Sequence, residues 1–363
     1  MSVSYRRNSS RCAVIAVLAI ASLGCQRRDR DENFPTMVPS TPVPPPDVSS
    51  PLAETDVPTP PAPVRTVTLD HLREAAFDVH SEVLVHVPET FTGHGPLNIV
   101  VYLHGWNNCI RVTASNDDGS CSDGAPIRTG MDVVRQFDIA ARDAILLLPQ
   151  LAFDQATVRA GRLETRDGFR RMLEEVLARP EVTTMLGSPR TFAEIGRVTL
   201  FAHSAAYVPA AAMLDRGGFD IHDVFLLDAL YRNLPPFAAW AHTHARELLP
   251  DVPSYRHFAI IYTDREGTGA NSRALINDLS MNVPPLLQER TVWSDRTFAP
   301  PLAQDLSKPI VLQRTETAHV FIPRSFLAQL LIASGLPGPS SGPRTQTINH
   351  DEGTTEGIRN EAH

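Results

Sequence analysis

Residues 197–214 constrain the fold of this chain more than any other stretch. They begin with the apolar run VTLF (residues 198–201), which is typical of a buried strand, and continue as an alanine-rich segment that is typical of a helix. Ser204 lies between the two, with Ala202 two residues before it and Ala206 two residues after it. Small residues at these positions allow a strand and a helix to approach each other closely. The segment therefore predicts a sharp strand-to-helix turn with a serine hydroxyl at its apex.

The sequence from residue 66 to residue 337 alternates strand-like and helix-like segments. Strands are predicted at 82–88, 97–103, 144–149, 198–201, 222–228, 257–263 and 309–313. Helices are predicted at 132–142, 167–179, 205–214, 237–249, 272–279 and 324–334. This alternation implies the α/β class, with a mostly parallel central sheet and helices on both of its faces. In the first predicted strand, apolar and polar residues alternate, which predicts that it is half-exposed.

Length and charge limit the possible organisation. The 363 residues, 42% of them hydrophobic, suffice for one core of roughly 250 residues with extensions, or for two smaller domains. The net charge of −8 argues against a nucleic-acid-binding surface. The sequence does not fix the oligomeric state.

The two ends of the chain differ in composition from the region between them. Residues 1–25 have a basic start and a short apolar run, which predict an export signal. The signal ends in Ser-Leu-Gly-Cys25, which resembles a bacterial lipobox and implies a lipid-modified Cys25 that anchors the chain to a membrane. Cleavage as an ordinary signal peptide is the alternative. The proline-rich residues 26–65 predict an extended, disordered linker, and the polar residues 338–363 predict a disordered tail.

The motifs of the central region resemble those of the α/β-hydrolase superfamily. A strand ends in Leu103-His104-Gly105-Trp106, the Ser204 turn follows, and an aspartate and then a histidine come later in the chain. The order Ser, Asp, His is that of the superfamily. The likeness covers roughly residues 75–335. Within the superfamily, the motifs resemble those of secreted bacterial hydrolase-like proteins more closely than those of other members. It implies an α/β-hydrolase domain at 66–337 and a serine hydrolase activity.

The resemblance and the residue types together predict a catalytic triad. Ser204 is the candidate nucleophile and His319, in the loop after the last strand, is the candidate base. Asp228 and Asp264 each end a strand, and both are candidates for the acid. Most superfamily members place the acid in the position of Asp264. Asp228 is favoured here because an apolar flank makes a carboxylate costly unless it has a strong partner, such as a histidine N–H.

The remaining candidate site residues surround the serine. The backbone N–H of Ala205, just after the nucleophile, and those of the Gly105–Trp106 segment are predicted to form the oxyanion hole. The side chains of His104, His203 and Tyr207 are expected to line the pocket. The mechanism needs no cofactor, and no metal site is predicted.

Cys109 and Cys121 remain in a chain that is predicted to be exported, and a disulfide between them is expected. The sequence as a whole predicts a secreted serine hydrolase of the cell envelope, periplasm or exterior that acts on a small-molecule ester or a lipid. Two alternatives stay open at this point. One is a non-catalytic envelope lipoprotein that binds a ligand or partner, and the other is an acyltransferase that uses the same triad.

Overall fold

The structure is a computed structural model that describes residues 65–73, 81–152, 159, 161–248, 256–264, 267–282, 292–294, 306 and 308–338. The chain divides into two units, residues 1–60 and 61–363, and all of the described residues lie in the second. The predicted signal with Cys25 lies outside the described residues. So do the predicted linker and tail, except for residues 65 and 338.

A nine-stranded sheet forms the centre of the described part of the chain. Its strands are β1 (Thr66–Leu69), β2 (Val83–His86), β3 (Leu97–Leu103), β6 (Ile145–Pro149), β7 (Ile195–His203), β8 (Asp223–Leu227), β9 (Phe258–Tyr262), β10 (Val292–Ser294) and β11 (Ile310–Arg314). The strand order is β1-β2-β6-β3-β7-β8-β9-β11-β10. Within this sheet β2 is antiparallel to both of its neighbours, and all other adjacent pairs are parallel. A separate hairpin pairs β4 (Gly119–Ser120) with β5 (Ile127–Arg128).

Helices cover both faces of this sheet, as the alternating sequence pattern predicted. The α-helices are α1 (Ile110–Ala114), α2 (Val133–Ala140), α3 (Gly168–Leu177), α4 (Pro180–Leu186), α5 (Tyr207–Arg216), α6 (Leu234–Thr243), α7 (Thr268–Asn282) and α8 (Ile322–Ala333). The apolar side chains of α3 to α7 pack into one core cluster, and those of α1, α2 and α8 pack into a second. Among the described residues, no helix combines the length and the apolar character that a membrane crossing requires.

The central strands are largely apolar because both of their faces are buried. β3 shows this most clearly, since all of its side chains are buried. Leu97, Ile99 and Val101 contribute to one core cluster, while Val100 and Tyr102 contribute to the other. The alternation of side chains along one strand thus supplies both layers of the core.

The prediction that the strand at 82–88 is half-exposed is wrong. β2 is buried along its whole length because β1 pairs outside it and α2 covers it. Its polar residue, His86, is only 5% exposed. The His86 ring is hydrogen-bonded to Thr66 Oγ1 at 2.7 Å and to Asp138 Oδ1 at 2.8 Å. The alternating pattern predicts that the His86 ring is hydrogen-bonded to water, but side chains from neighbouring elements form these hydrogen bonds instead.

A disulfide joins Cys109 and Cys121, with their Cα atoms 5.6 Å apart, as the sequence predicted. It spans the segment that contains α1 and the start of the small hairpin. Cys109 immediately precedes α1, only four residues after Gly105. The covalent link therefore ties the loop after β3 to the hairpin.

Asp223, the first residue of β8, is a fully buried carboxylate. It accepts hydrogen bonds from Thr199 Oγ1 at 2.9 Å, from His222 Nδ1 at 2.8 Å and from the His257 backbone N–H at 2.9 Å. Burial opposes its ionisation, but the hydrogen bonds and the nearby histidines outweigh burial and hold the pKa of Asp223 well below its usual range. This network joins β7, β8 and the residue before β9 at one end of the sheet.

We expect Asp223→Asn to lower the free energy of unfolding at pH 7 by about 2–4 kcal/mol, because it breaks a buried charged network. Since the folded-state pKa is lowered, the carboxylate contributes stability that is full above its unfolded pKa of about 3.9 and is lost as the pH falls further. The difference in the free energy of unfolding between wild type and Asp223→Asn should therefore become smaller below about pH 4. Denaturant unfolding at several pH values measures both effects.

The control is Asp215→Asn. The side chain of Asp215 is 57% exposed, and its ion-pair partner among the described residues is the adjacent Arg216. This control should change the unfolding free energy by less than about 0.5 kcal/mol. Equal losses in the two variants would show that the buried network adds nothing to stability.

Candidate active site

The chain turns sharply at Ser204. β7 ends at His203, a single 3₁₀ turn covers Ser204–Ala206, and α5 follows directly. Ser204 has a φ of +57°, in the left-handed region that non-glycine residues rarely adopt. Ala202 and Ala206 are both fully buried at the contact between strand and helix. Backbone strain of this kind persists only where the surroundings impose it, and it lifts the serine out of the line of the strand.

The loop after β3 approaches the same serine. A Cβ atom at Gly105 would lie 2.6 Å from Ser204 Cβ and 3.2 Å from Ser204 Oγ. Because Cβ atoms do not come so close to other carbons, only glycine permits this approach. The backbone of the Gly105–Trp106 segment therefore borders the Ser204 hydroxyl.

His319 and Asp228 are joined across two other loops at this edge of the sheet. The distance from His319 Nδ1 to Asp228 Oδ2 is 2.7 Å. Asp228 follows β8 directly, has a φ of +46° and is 2% exposed. His319 begins the short 3₁₀ turn that leads into α8. The contact joins residues 91 positions apart in the sequence.

Three further hydrogen bonds hold the Asp228 carboxylate. The Thr263 backbone N–H donates to Oδ1 at 2.9 Å, the Thr263 hydroxyl donates to Oδ2 at 2.9 Å, and the Thr268 hydroxyl donates to Oδ1 at 2.6 Å. Burial works against ionisation, but the hydrogen bonds from His319, Thr268 and Thr263 outweigh it and lower the pKa of Asp228. The carboxylate is therefore ionised, and it accepts a hydrogen bond from the N–H that His319 carries on Nδ1.

Asp264, the alternative acid, has different partners. Its side chain is 42% exposed and pairs with Arg314 at 2.6 Å and with Arg273 at 3.1 Å. Within the described residues, no hydrogen bond joins Asp264 to His319. The arginines hold Asp264 on the protein surface.

The three predicted pocket residues occupy different environments. His104 and His203 are each 1% exposed, so their rings lie in the interior behind the serine rather than on an open wall. Tyr207 is half-buried, and its ring lies 5.9 Å from that of Tyr231. His203 Nε2 is 3.1 Å from the backbone oxygen of His319, and the two rings lie 4.6 Å apart. Burial lowers the pKa of His203 to about 3, so that this ring is neutral at ordinary pH.

The backbone N–H groups of Ala205 and Ala206 lie at the start of the helical segment. The first N–H groups of a helix have no partner within it, and they give the helix N-terminus a partial positive charge. Among the described residues, the Ser204 hydroxyl forms no hydrogen bond. In this structure no hydrogen bond joins the Ser204 hydroxyl to His319; hydrogen bonds of this kind are often long or absent in sites without a bound ligand.

Large apolar side chains lie next to these residues in the chain and are exposed. Trp106, directly after Gly105, is 53% exposed, and Phe321, two residues after His319, is 42% exposed. Val320 is also exposed.

Sequence reasoning did not identify Thr263, Thr268 or Gln150 as parts of this region. Thr263 directly follows β9, and Thr268 begins α7 and is fully buried. Gln150 follows β6 and is bonded to His104. A polar residue directly after an apolar strand is the signal that could have indicated Thr263 and Gln150, since the carboxyl ends of parallel strands share one edge of the sheet.

The sheet is mostly parallel with helices on both faces, a strained serine lies between a strand and a helix, and Ser204, Asp228 and His319 follow one another in the chain order of the hydrolases. The chain has an α/β-hydrolase fold. No protein-family model matches the sequence, and a search of curated proteins gave no match.

Solved structures that resemble the fold are distant. A mutant of the feruloyl esterase module from Clostridium thermocellum, complexed with sinapinate, gives a TM-score of 0.45 at 13% identity, over 76% of this chain and 90% of that one. The S-formylglutathione hydrolase from Agrobacterium tumefaciens gives 0.37 at 14% identity, over 73% and 92%. An alpha/beta hydrolase enzyme from a Medee basin deep-sea metagenome library gives 0.33 at 11% identity, over 65% and 76%. The fold assignment rests on the sheet and the turn, not on these likenesses.

We expect Gly105→Ala to destabilise the protein by about 1–3 kcal/mol, the usual cost of overpacking. The added methyl group would collide with Ser204 Cβ, while the φ of Gly105 lies outside the left-handed range and adds no strain. Thermal unfolding measures the effect. Gly338→Ala is the matched control, because a Cβ there meets nothing nearer than Arg142 Nη1 at 3.7 Å. If both variants unfold at the wild-type temperature, the loop does not press against Ser204 in solution.

Proposed function

We propose that the protein is a serine hydrolase that cleaves carboxylic esters, with Ser204 as nucleophile, His319 as base and Asp228 as acid. The observation that carries this proposal is the hydrogen bond of 2.7 Å between His319 Nδ1 and the buried Asp228 carboxylate, at the sheet edge where the strained Ser204 turn also lies. A hydroxyl is a weak nucleophile until a base takes its proton. An oriented histidine at the same edge of the sheet as a half-buried serine supplies that base.

The Asp228 carboxylate fixes the tautomer of His319. It only accepts hydrogen bonds, so His319 carries a proton on Nδ1, and Nε2 retains its lone pair. Nε2 then takes the proton of Ser204 as the Ser204 oxygen attacks the ester carbonyl carbon. Asp228 stabilises the imidazolium that results, and Nε2 returns the proton to the leaving alcohol. The product of this half-reaction is an acyl-serine, which a water molecule activated by the same histidine hydrolyses.

The developing negative charge on the carbonyl oxygen needs donors that are already in place. The Ala205 N–H is one such donor, since it follows the nucleophile at the start of the helical segment. The second donor in this proposal is the backbone N–H of Trp106, because the close contact of Gly105 with Ser204 brings this segment to the reacting oxygen. Every step uses side-chain or backbone groups of this chain.

Asp228 is preferred to Asp264 as the acid because only Asp228 contacts His319 among the described residues. The ion pairs of Asp264 with Arg273 and Arg314 compete with any other partner. The location of Asp228 also provides the low-dielectric environment in which an ionised carboxylate stabilises an imidazolium most strongly.

The substrate proposed here is a small ester with an apolar group. Trp106 and Phe321 expose apolar surface directly after Gly105 and close to His319 in the chain. The proposed setting is the cell envelope or exterior, because the disulfide suits an oxidising compartment and the N-terminus has the composition of an export signal. Mass spectrometry of the N-terminal peptide, with Cys25→Ala as the control, tests the lipid anchor.

Labelling of the purified protein with a fluorophosphonate probe tests the proposed nucleophile and acid. We expect wild type to label and Ser204→Ala not to label. Asp228→Asn should reduce the rate by about 10²–10⁴-fold, because the amide no longer fixes the tautomer of His319. Asp264→Asn should remain within about twofold of wild type, since a surface ion pair contributes little.

Asp223→Asn is the matched control for the acid, because it removes a buried carboxylate from the other end of the same strand. It should label at close to the wild-type rate at temperatures where it is folded. A folded wild type that takes no label and hydrolyses no short-chain aryl ester contradicts the proposed function and favours a binding protein. If an added alcohol speeds the consumption of the ester and is itself acylated, the protein is instead an acyltransferase.

Trp106→Ala tests the apolar substrate contact. Since only the side chain changes, the backbone N–H of residue 106 remains, and we expect KM for an aryl ester to rise about 5- to 20-fold with kcat within about threefold. Ile139→Ala is the matched control. The Ile139 side chain is 51% exposed, close to the 53% of Trp106, but it lies on α2. Steady-state kinetics should show no change in this control. An unchanged KM in Trp106→Ala would place the substrate elsewhere.

A further inference from the structure

His104 directly follows β3 and forms hydrogen bonds through both ring nitrogens. Its Nε2 lies 3.0 Å from the Leu151 backbone nitrogen and 3.0 Å from Gln150 Nε2. Its Nδ1 lies 3.0 Å from the backbone oxygen of Gly105. The ring is only 1% exposed. Such a histidine acts through its fixed contacts rather than through solvent.

These contacts decide where the proton of His104 lies. A backbone N–H can only donate, so the Nε2 that faces Leu151 must accept and carries no proton. The neutral ring then carries its proton on Nδ1, which donates to the Gly105 carbonyl. Burial lowers the pKa of His104 to about 4, although the hydrogen bond to Gly105 raises it in part, and the ring is therefore neutral near pH 7.

A second backbone donor fixes the partner of His104. The Ile110 backbone N–H donates to Gln150 Oε1 at 2.9 Å, so the amide oxygen of Gln150 is on that side. Its NH₂ group donates to His104 Nε2 and, at 2.7 Å, to the Leu151 carbonyl. The hydrogen-bonded chain from Ile110 to the Gly105 carbonyl has one consistent set of donors and acceptors.

The orientation of the Gly105 carbonyl determines that of the next N–H. A trans peptide is planar, with its C=O and N–H pointing in opposite directions, and the described residues contain no cis peptide bond. When His104 Nδ1–H holds the Gly105 oxygen, the Trp106 N–H must point away from the His104 ring. Gly105 itself presses against Ser204, so this N–H belongs to the peptide that borders the serine.

We infer that His104 is a positioning residue that, through the Gly105 carbonyl, aims the Trp106 N–H at the oxyanion formed on the acyl carbon next to Ser204. The inference rests on the proposed hydrolase function. It assigns His104 a role in transition-state stabilisation rather than in lining the substrate pocket. Without the hydrogen bond from Nδ1, the Gly105–Trp106 peptide can rotate, and the Trp106 N–H no longer points at the oxyanion. This change lowers kcat without weakening substrate binding.

Two substitutions separate the two halves of the His104 contact. His104→Gln places an amide near the position of Nε2, where its oxygen can still accept from the Leu151 N–H, but it removes the donor to Gly105. His104→Asn places an NH₂ group near the position of Nδ1 and keeps that donor. We expect kcat for a short-chain aryl ester to fall about 10- to 100-fold in His104→Gln with KM within about twofold. This loss is smaller than the about 10²–10³-fold cost of deleting an oxyanion donor outright. His104→Asn should lose less than about fivefold.

His86→Gln is the control for the loss of a buried, doubly hydrogen-bonded histidine. His86 lies in β2, bonded to Thr66 and Asp138. This control should lower the unfolding temperature with kcat unchanged. A folded His104→Gln with wild-type kcat overturns the inference, and so do equal losses of kcat in His104→Gln and His104→Asn.

Nitrogen-15 NMR of wild-type protein labelled in its histidines keeps the inference testable if His104→Gln does not fold. The chemical shifts of His104 should be those of a neutral ring with its proton on Nδ1. A proton on Nε2 would falsify the inference. The failure of the proposed function is a separate outcome, because it appears as a wild type without labelling or ester hydrolysis, whereas this measurement reads the tautomer in either case.

Discussion

Three parts of the chain meet at Ser204, and each can reach it only because a small residue lies at the contact. Ala202 lies near the end of β7, two residues before Ser204, Ala206 directly precedes α5, and both are fully buried. Gly105 brings in the loop after β3, where even a single Cβ atom would lie 2.6 Å from that of the serine. Close packing of this kind leaves no room for adjustment, so the backbone at Ser204 takes up the strain as a positive φ. Small side-chain volume is thus the condition under which these three parts of the chain can meet at the serine.

The two buried aspartates of the β8 segment show how one kind of group can serve different ends. Asp223 begins the strand and Asp228 follows it, and both are almost entirely removed from water. Burial penalises each charge, and hydrogen bonds from threonine, histidine and backbone groups outweigh that penalty in both cases. The two aspartates differ in the location of the histidine that each one binds. His222 lies at the end of the sheet where β8 begins, whereas His319 lies at the end where Ser204 is.

Local patterns predicted those parts of the fold that depend on neighbours in the sequence. The strand at 97–103 has the predicted bounds, because an apolar run that is buried on both faces needs no information from elsewhere. The apolar flank of Asp228 indicates that its carboxylate requires a partner, and in the structure His319 is that partner. The exposure of β2 was predicted wrongly because the partners of His86 come from β1 and α2. The position of Gln150 directly after β6 indicates the edge of the sheet at which it lies, but its contact with His104 was not predictable, since that contact joins residues 46 positions apart.

Burial divides the histidines near the serine into two kinds. His104 and His203 are each 1% exposed, and burial lowers their pKa values to about 4 and about 3. A buried ring that stays neutral can hold a backbone group in place, as each of these does with a carbonyl oxygen, but burial keeps it from exchanging protons with solvent. The side chain of His319 is 30% exposed and has an ionised carboxylate behind it, which stabilises the charge that a base acquires. Of these three rings, only that of His319 is both partly exposed and hydrogen-bonded to an ionised carboxylate, and this combination is what the proposed role of a base requires.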